Sequence, residues 1–125
     1  MDLLRELPDT RQVDGEPKRR WFSSPELDLI VWLDESDAPS GFQLCYDKTH
    51  GERALTWRAG RGFDHMAVDD GEQDPAQHKS TPILVADGEF DYSRITKSFI
   101  EASGEVPADL RSFVMRALER YRKAP

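Results

Sequence analysis

The chain predicts an α+β fold, an antiparallel β-meander of four to six strands with two C-terminal helices packed on one face. Three observations lead there. Between positions 18 and 87, apolar residues come in short runs, several alternating with period two, separated by clusters of Gly, Pro, Asp and Ser. From position 92 onward the period lengthens to 3.6. The strand signals all precede the helical ones, an order that favours an antiparallel sheet over alternating β–α units.

Taken in order, residues 1–17 mix charges with Pro8, Gly15 and Pro17 and hold no period. They read as a flexible N-terminal tail with at most a helical turn at Leu3–Leu7, leaving 18–125 as a single α+β domain. "RRWFSS" (19–24) reads as a short edge strand. "ELDLIVWLDE" (26–35) is the strongest strand signal, rich in β-branched and aromatic residues and ended by the turn-rich "SDAPSG". "FQLCYD", the turn "KTHG" and "RALTWR" form a hairpin. "AGRG" turns the chain into "FDHMAVD", residues 70–81 form a long polar loop, and "PILVAD" (82–87) is a buried extended segment.

The helices follow. In "YSRITKSFIEA", Tyr92, Ile95, Phe99 and Ala102 share a face, and Asp91 is placed to cap the first turn. Gly104 stops the chain and Pro107 restarts it. Leu110, Phe113, Val114, Ala117, Leu118 and Tyr121 then make a continuous apolar stripe.

Register follows from the turns. With "KTHG" as the loop, Tyr46 faces Arg53, Cys45 faces Ala54, Leu44 faces Leu55 and Phe42 faces Trp57, which gathers the large apolar residues on one side. Setting Leu33 against Phe42 adds Leu27, Leu29, Val31 and Leu33 to that side. Setting Arg58 against Phe63 adds Met66 and Val68. The opposite side then carries Ile30, Trp32, Gln43, Cys45, Ala54, Thr56, His65 and Ala67. The same register lines up Asp28, Asp47, Glu52 and Asp69 across four strands.

Composition bounds the function. The chain has 125 residues, 33% of them charged, with a net charge of −7. Residues 21–90 carry fourteen acidic side chains against five basic ones, which repels phosphate backbones and argues against nucleic acid. No run approaches the roughly 18 apolar residues of a membrane span. Cys45 is the only cysteine, so there is no internal disulfide and no paired-cysteine zinc site. The N-terminus lacks the pattern of a signal peptide, and the expected setting is cytoplasmic and reduced.

No nucleophile elbow, metalloprotease, phosphate-loop or dinucleotide pattern is present, and no catalytic residue or cofactor is assigned. Trp21, Ile30, Trp32, Gln43, Cys45, Thr56 and His65 form the candidate binding surface, because an aromatic facing away from the helices is exposed unless something covers it. The 82–87 segment or the N-terminal tail is the candidate cover. A basic protein surface, or a second copy of the chain, is the expected partner. The carboxylate row Asp28, Asp47, Glu52 and Asp69, with His65, supports an alternative, a small enzyme or cation-dependent binder, since hard cations take oxygen ligands. Acids at turn-proximal strand ends are also common without any ligand.

The string "WF…DLIVWLDE…GFQLCYDK…ERALTW…DDGE", over roughly residues 21–72, resembles a family of small bacterial proteins, a domain of unknown function. The resemblance implies a bacterial cytoplasmic origin and brings no activity, ligand or catalytic residue.

Overall fold

In the computed structural model, residues 2–8, 10–12, 14–49, 51–69, 83–86 and 90–123 are described. Among them, seven strands form one antiparallel sheet in sequential order: β1 (Arg5–Glu6), β2 (Lys18–Ser23), β3 (Asp28–Leu33), β4 (Pro39–Tyr46), β5 (Arg53–Arg58), β6 (Gly62–Asp69) and β7 (Ile83–Ala86). Helices α1 (Tyr92–Ala102) and α2 (Ala108–Lys123) complete the expected α+β meander. The loop expected at 70–81 lies outside the described residues. Part of the 82–87 segment is β7, which pairs with β6 at the sheet's edge.

The core lies between one sheet face and the helical pair. Leu29, Val31, Phe42, Leu44 and Leu55 are fully buried on the inner face, opposed by Ile95, Phe99, Leu110, Val114, Ala117 and Leu118. Phe42 and Trp57 meet the Phe113 ring at 6.3 and 5.6 Å between centroids, both edge-on. The helices form as their apolar spacing dictates, and the Asp91 carboxylate accepts from the Arg94 N–H at 3.3 Å as the N-cap of α1.

The β4–β5 hairpin has the expected register, Phe42 with Trp57 through Tyr46 with Arg53. The two flanking registers differ. Val31, rather than Leu33, pairs with Phe42. The Asp34 carboxylate accepts from the Ser36 and Ala38 N–H groups, closing the turn early, so that β4 begins at Pro39. A shift of two residues leaves every side chain on its expected face.

Between β5 and β6 the shift is one residue, and the faces exchange. Arg58 pairs with Gly62, not Phe63. Arg61 N–H bonds the Arg58 carbonyl at 3.0 Å, and Gly60 (φ 83°) and Gly62 (φ 81°) take left-handed backbone that other residues rarely adopt. The connection is therefore three residues long. Phe63, His65 and Ala67 turn to the helix side, while Met66 and Val68 turn outward.

The N-terminal segment also departs from expectation. In place of a flexible tail or helical turn, Arg5 and Glu6 pair with Ser23 and Phe22, and Leu4 is fully buried. Leu4 N–H bonds the Ala102 carbonyl at 2.9 Å, and Arg5 reaches Glu105. Glu6 takes a bidentate bond from Arg20, both contacts at 2.7 Å. A stretch this short has no period to read, yet one leucine in the core offsets its ordering.

Leu4→Ala is expected to cost about 2–5 kcal/mol, measured by urea denaturation. A flexible tail would give no change. The hydrogen bond from Arg20 holds the Glu6 carboxyl below the usual carboxylate range, against a smaller opposing effect of burial. Its contribution is therefore present above the ordinary carboxylate pKa and disappears as pH falls through the lowered folded value. Glu6→Gln is expected to lower the melting temperature at neutral pH, by an amount equivalent to under about 1 kcal/mol, and to converge with the parent chain in acid.

Candidate functional site

Both helices occupy the inner face, so the outer face is where a partner has access. Three rows of paired residues cross it. At one end Arg19, Trp32, Gly41, Arg58 and Gly62 are in line; the middle row is Trp21, Ile30, Gln43, Thr56 and Asp64; the third is Ser23, Asp28, Cys45, Ala54 and Met66. Trp21, Ile30, Trp32, Gln43, Cys45 and Thr56 thus share the face the sequence assigned to them.

Trp32 and Arg58 lie two strands apart, about 10 Å at the usual strand spacing. They meet because Gly41 stands between them without a side chain. The Arg58 guanidinium carbon sits 4.0 Å from the Trp32 ring centroid. A Cβ at position 41 would approach the Trp57 carbonyl to 2.8 Å and Arg58 Cγ to 3.2 Å. An arginine laid on an indole is held by cation–π attraction of about 0.5–1 kcal/mol at an exposed site, and its donors still point outward. Among the described residues, Arg58 is the group laid over this half-buried indole.

Trp21 is half-buried beside nearly buried Ile30. Its indole Nε1 is buried with no hydrogen-bond partner among the described residues. Leu7, 41% exposed, follows β1 and donates its N–H to the Trp21 carbonyl at 2.8 Å. Leu7, Trp21 and Ile30 thereby extend the apolar surface toward the β1 edge.

Acids other than those of the expected row gather at the β3–β4 turn, just beyond Trp32 in the chain. An open groove of about 950 Å³ lies at the β3–β4 turn, lined by Glu16, Asp34, Glu35 and Asp37 together with Lys18 and Leu33. Asp34 is committed to the turn: bonds from Ser36, then Ala38, hold its carboxyl below the usual range. Lys18 reaches Asp37 only at 3.9 Å.

The row of Asp28, Asp47, Glu52 and Asp69 does not form. Asp28 pairs with Cys45, and Glu52 lies level with Val68, whose N–H it receives at its carbonyl. Asp28 accepts from Lys48 at 2.9 Å and from Ser23 at 2.6 Å. Asp47, in left-handed backbone (φ 54°), takes a bidentate bond from Arg94 of α1 at 2.9 and 3.0 Å. The Asp69 side chain lies outside the described residues. Among the described residues no group of three His, Cys, Asp or Glu side chains is arranged to hold an ion.

His65 is a correction. Expected on the same sheet face as Cys45, it is instead 8% exposed on the helix side. Its Nε2 is bonded to the Tyr46 hydroxyl, the two rings stack at 5.9 Å, and Phe90 and Tyr121 stand edge-on to it. The thiol and imidazole occupy opposite sheet faces, so they cannot form a nucleophile–base pair. Burial, then the carboxylates of Glu52 and Asp28, push the Cys45 thiol up to about 12, and a thiol protonated at neutral pH is a poor nucleophile.

The sequence reading missed Arg58, Gly41 and Met66. The signal for the first two was present, a glycine one strand from a tryptophan, but the two-residue shift in register put Gln43 beside Trp32 instead. No family model, curated protein or solved structure matches the chain.

Cys45 is expected to react with a disulfide reagent at pH 8 far more slowly than a free thiol, and to reach free-thiol rates in denaturant. Fast labelling of the folded chain, followed by absorbance, would contradict its burial.

Proposed function

We propose that the protein is a non-enzymatic interaction module that receives a basic segment of a partner protein on its outer face around Trp32. The observation that carries this reading is the half-buried pair Trp21 and Trp32, beside nearly buried Ile30 on the face away from both helices, with an acid-lined groove at the β3–β4 turn at the same end as Trp32. Tryptophan concentrates binding energy at interfaces, and a charged border steers the approach of the complementary partner. The net charge of −7 favours a cationic partner over an anionic one.

The groups on this face suit recognition better than chemistry. The Cys45 proton is held tightly, Asp28 is occupied by Lys48, and Arg58 is laid on Trp32.

Titration of the labelled protein with a lysine- and arginine-rich peptide, followed by amide NMR, tests the reading. Shifts are expected at Trp21, Ile30, Trp32, Gln43 and Thr56 and along the 34–38 turn. Trp32→Ala is expected to weaken binding about ten-fold or more, and Glu35→Lys to weaken it and reduce its salt dependence. No shifts, shifts scattered over the helices, or equal binding of an acidic peptide would overturn it.

A further inference from the structure

The edge of β2 is closed along its length by four devices. β1 pairs with Phe22 and Ser23, Leu7 N–H donates to the Trp21 carbonyl, and Pro17, just before the strand, has no N–H to offer. The rung at Arg19 is closed by a side chain. Gln12 Nε2 donates to the Arg19 carbonyl at 2.8 Å, and Arg19 N–H donates to Gln12 Oε1 at 2.9 Å. One carboxamide thus makes both bonds a neighbouring strand would make, because it carries the same donor and acceptor as a peptide unit.

The segment that presents Gln12 is held by light polar contacts. Thr10 Oγ1 donates to the Leu7 carbonyl and Gln12 Nε2 to the Thr10 carbonyl, both at 3.2 Å, and Arg19 Nε donates to the Arg11 carbonyl at 2.8 Å. Beside it an open groove of about 410 Å³ runs along Lys18, Arg19 and Arg20.

We propose that Gln12 is an edge lock, a side-chain surrogate strand that keeps β2 from pairing with β2 of a second copy of this chain. An unfilled strand edge is a template for another chain. A second copy is the fitting occupant because antiparallel pairing about Arg19 is symmetric and completes the rung Gln12 now fills. That symmetry sets Lys18 opposite Arg20, so repulsion between cations forms a second barrier, which salt screens. The lock lies on the sheet edge and does not depend on what the outer face binds.

Amide hydrogen exchange on the full chain tests the lock. Gln12→Ala is expected to speed exchange of the Arg19 amide about five- to ten-fold, with the Val31 and Leu44 amides unchanged. Gln12→Glu, which retains the acceptor but not the donor, is expected to keep most of the protection. An unchanged Arg19 rate in Gln12→Ala, or an acceleration shared equally by Val31 and Leu44, overturns the proposal. Light scattering reads the pairing itself. Gln12→Ala is expected to remain monomeric at low salt and to dimerise at about 1 M salt, where the screening length falls to about 3 Å, while the parent chain does not. A variant that stays monomeric at both salts, or a parent that dimerises equally, refutes the lock.

Discussion

The structure depends on the contact between one face of β4 and β5 and the apolar stripe of α2. Phe42 and Leu44 are fully buried there, and Phe113 meets Phe42 and Trp57 edge-on. A sheet with one greasy face has to cover it, and the helical pair is the cover this chain supplies. The side of the sheet to which the helices pack decides every other assignment: which residues form the core, which face is left for a partner, and where each polar group must find its bonds.

What was legible followed from short-range pattern. The change of period at residue 92, the Asp91 cap and the central hairpin register are written in spacing alone, because a one-residue error would scatter Phe42, Leu44, Leu55 and Trp57 across both faces. What was not legible depended on turn geometry. "AGRG" reads equally as three or four connecting residues, and two left-handed glycines choose three, which moves His65 from the open face into a ring of Tyr46, Phe90 and Tyr121. Likewise Asp34 draws two N–H groups into a tight turn and moves Trp32 opposite Gly41. The N-terminal strand left no periodic trace, since two residues are too few to show alternation.

The polar groups of the outer face and its rim are largely satisfied within the chain. Lys48 answers Asp28, Arg94 answers Asp47, and the Arg58 guanidinium rests on an indole. Isolated surface pairs of this kind add little stability, about 0–1 kcal/mol each. Their effect is to fix where charge sits at the end of the sheet away from Trp32.

The burial of Leu4 against the end of α1 has a consequence for how the molecule is made. Arg5 and Glu105 are a hundred positions apart, and Leu4 bonds the last residue of α1. Leu4 and Arg5 are synthesised before β2–β7, yet part of their docking place is the end of α1, about a hundred residues further along. Contacts of such long separation are slow to close, so the bond that ties β1 to α1 forms late relative to the hairpins of the sheet.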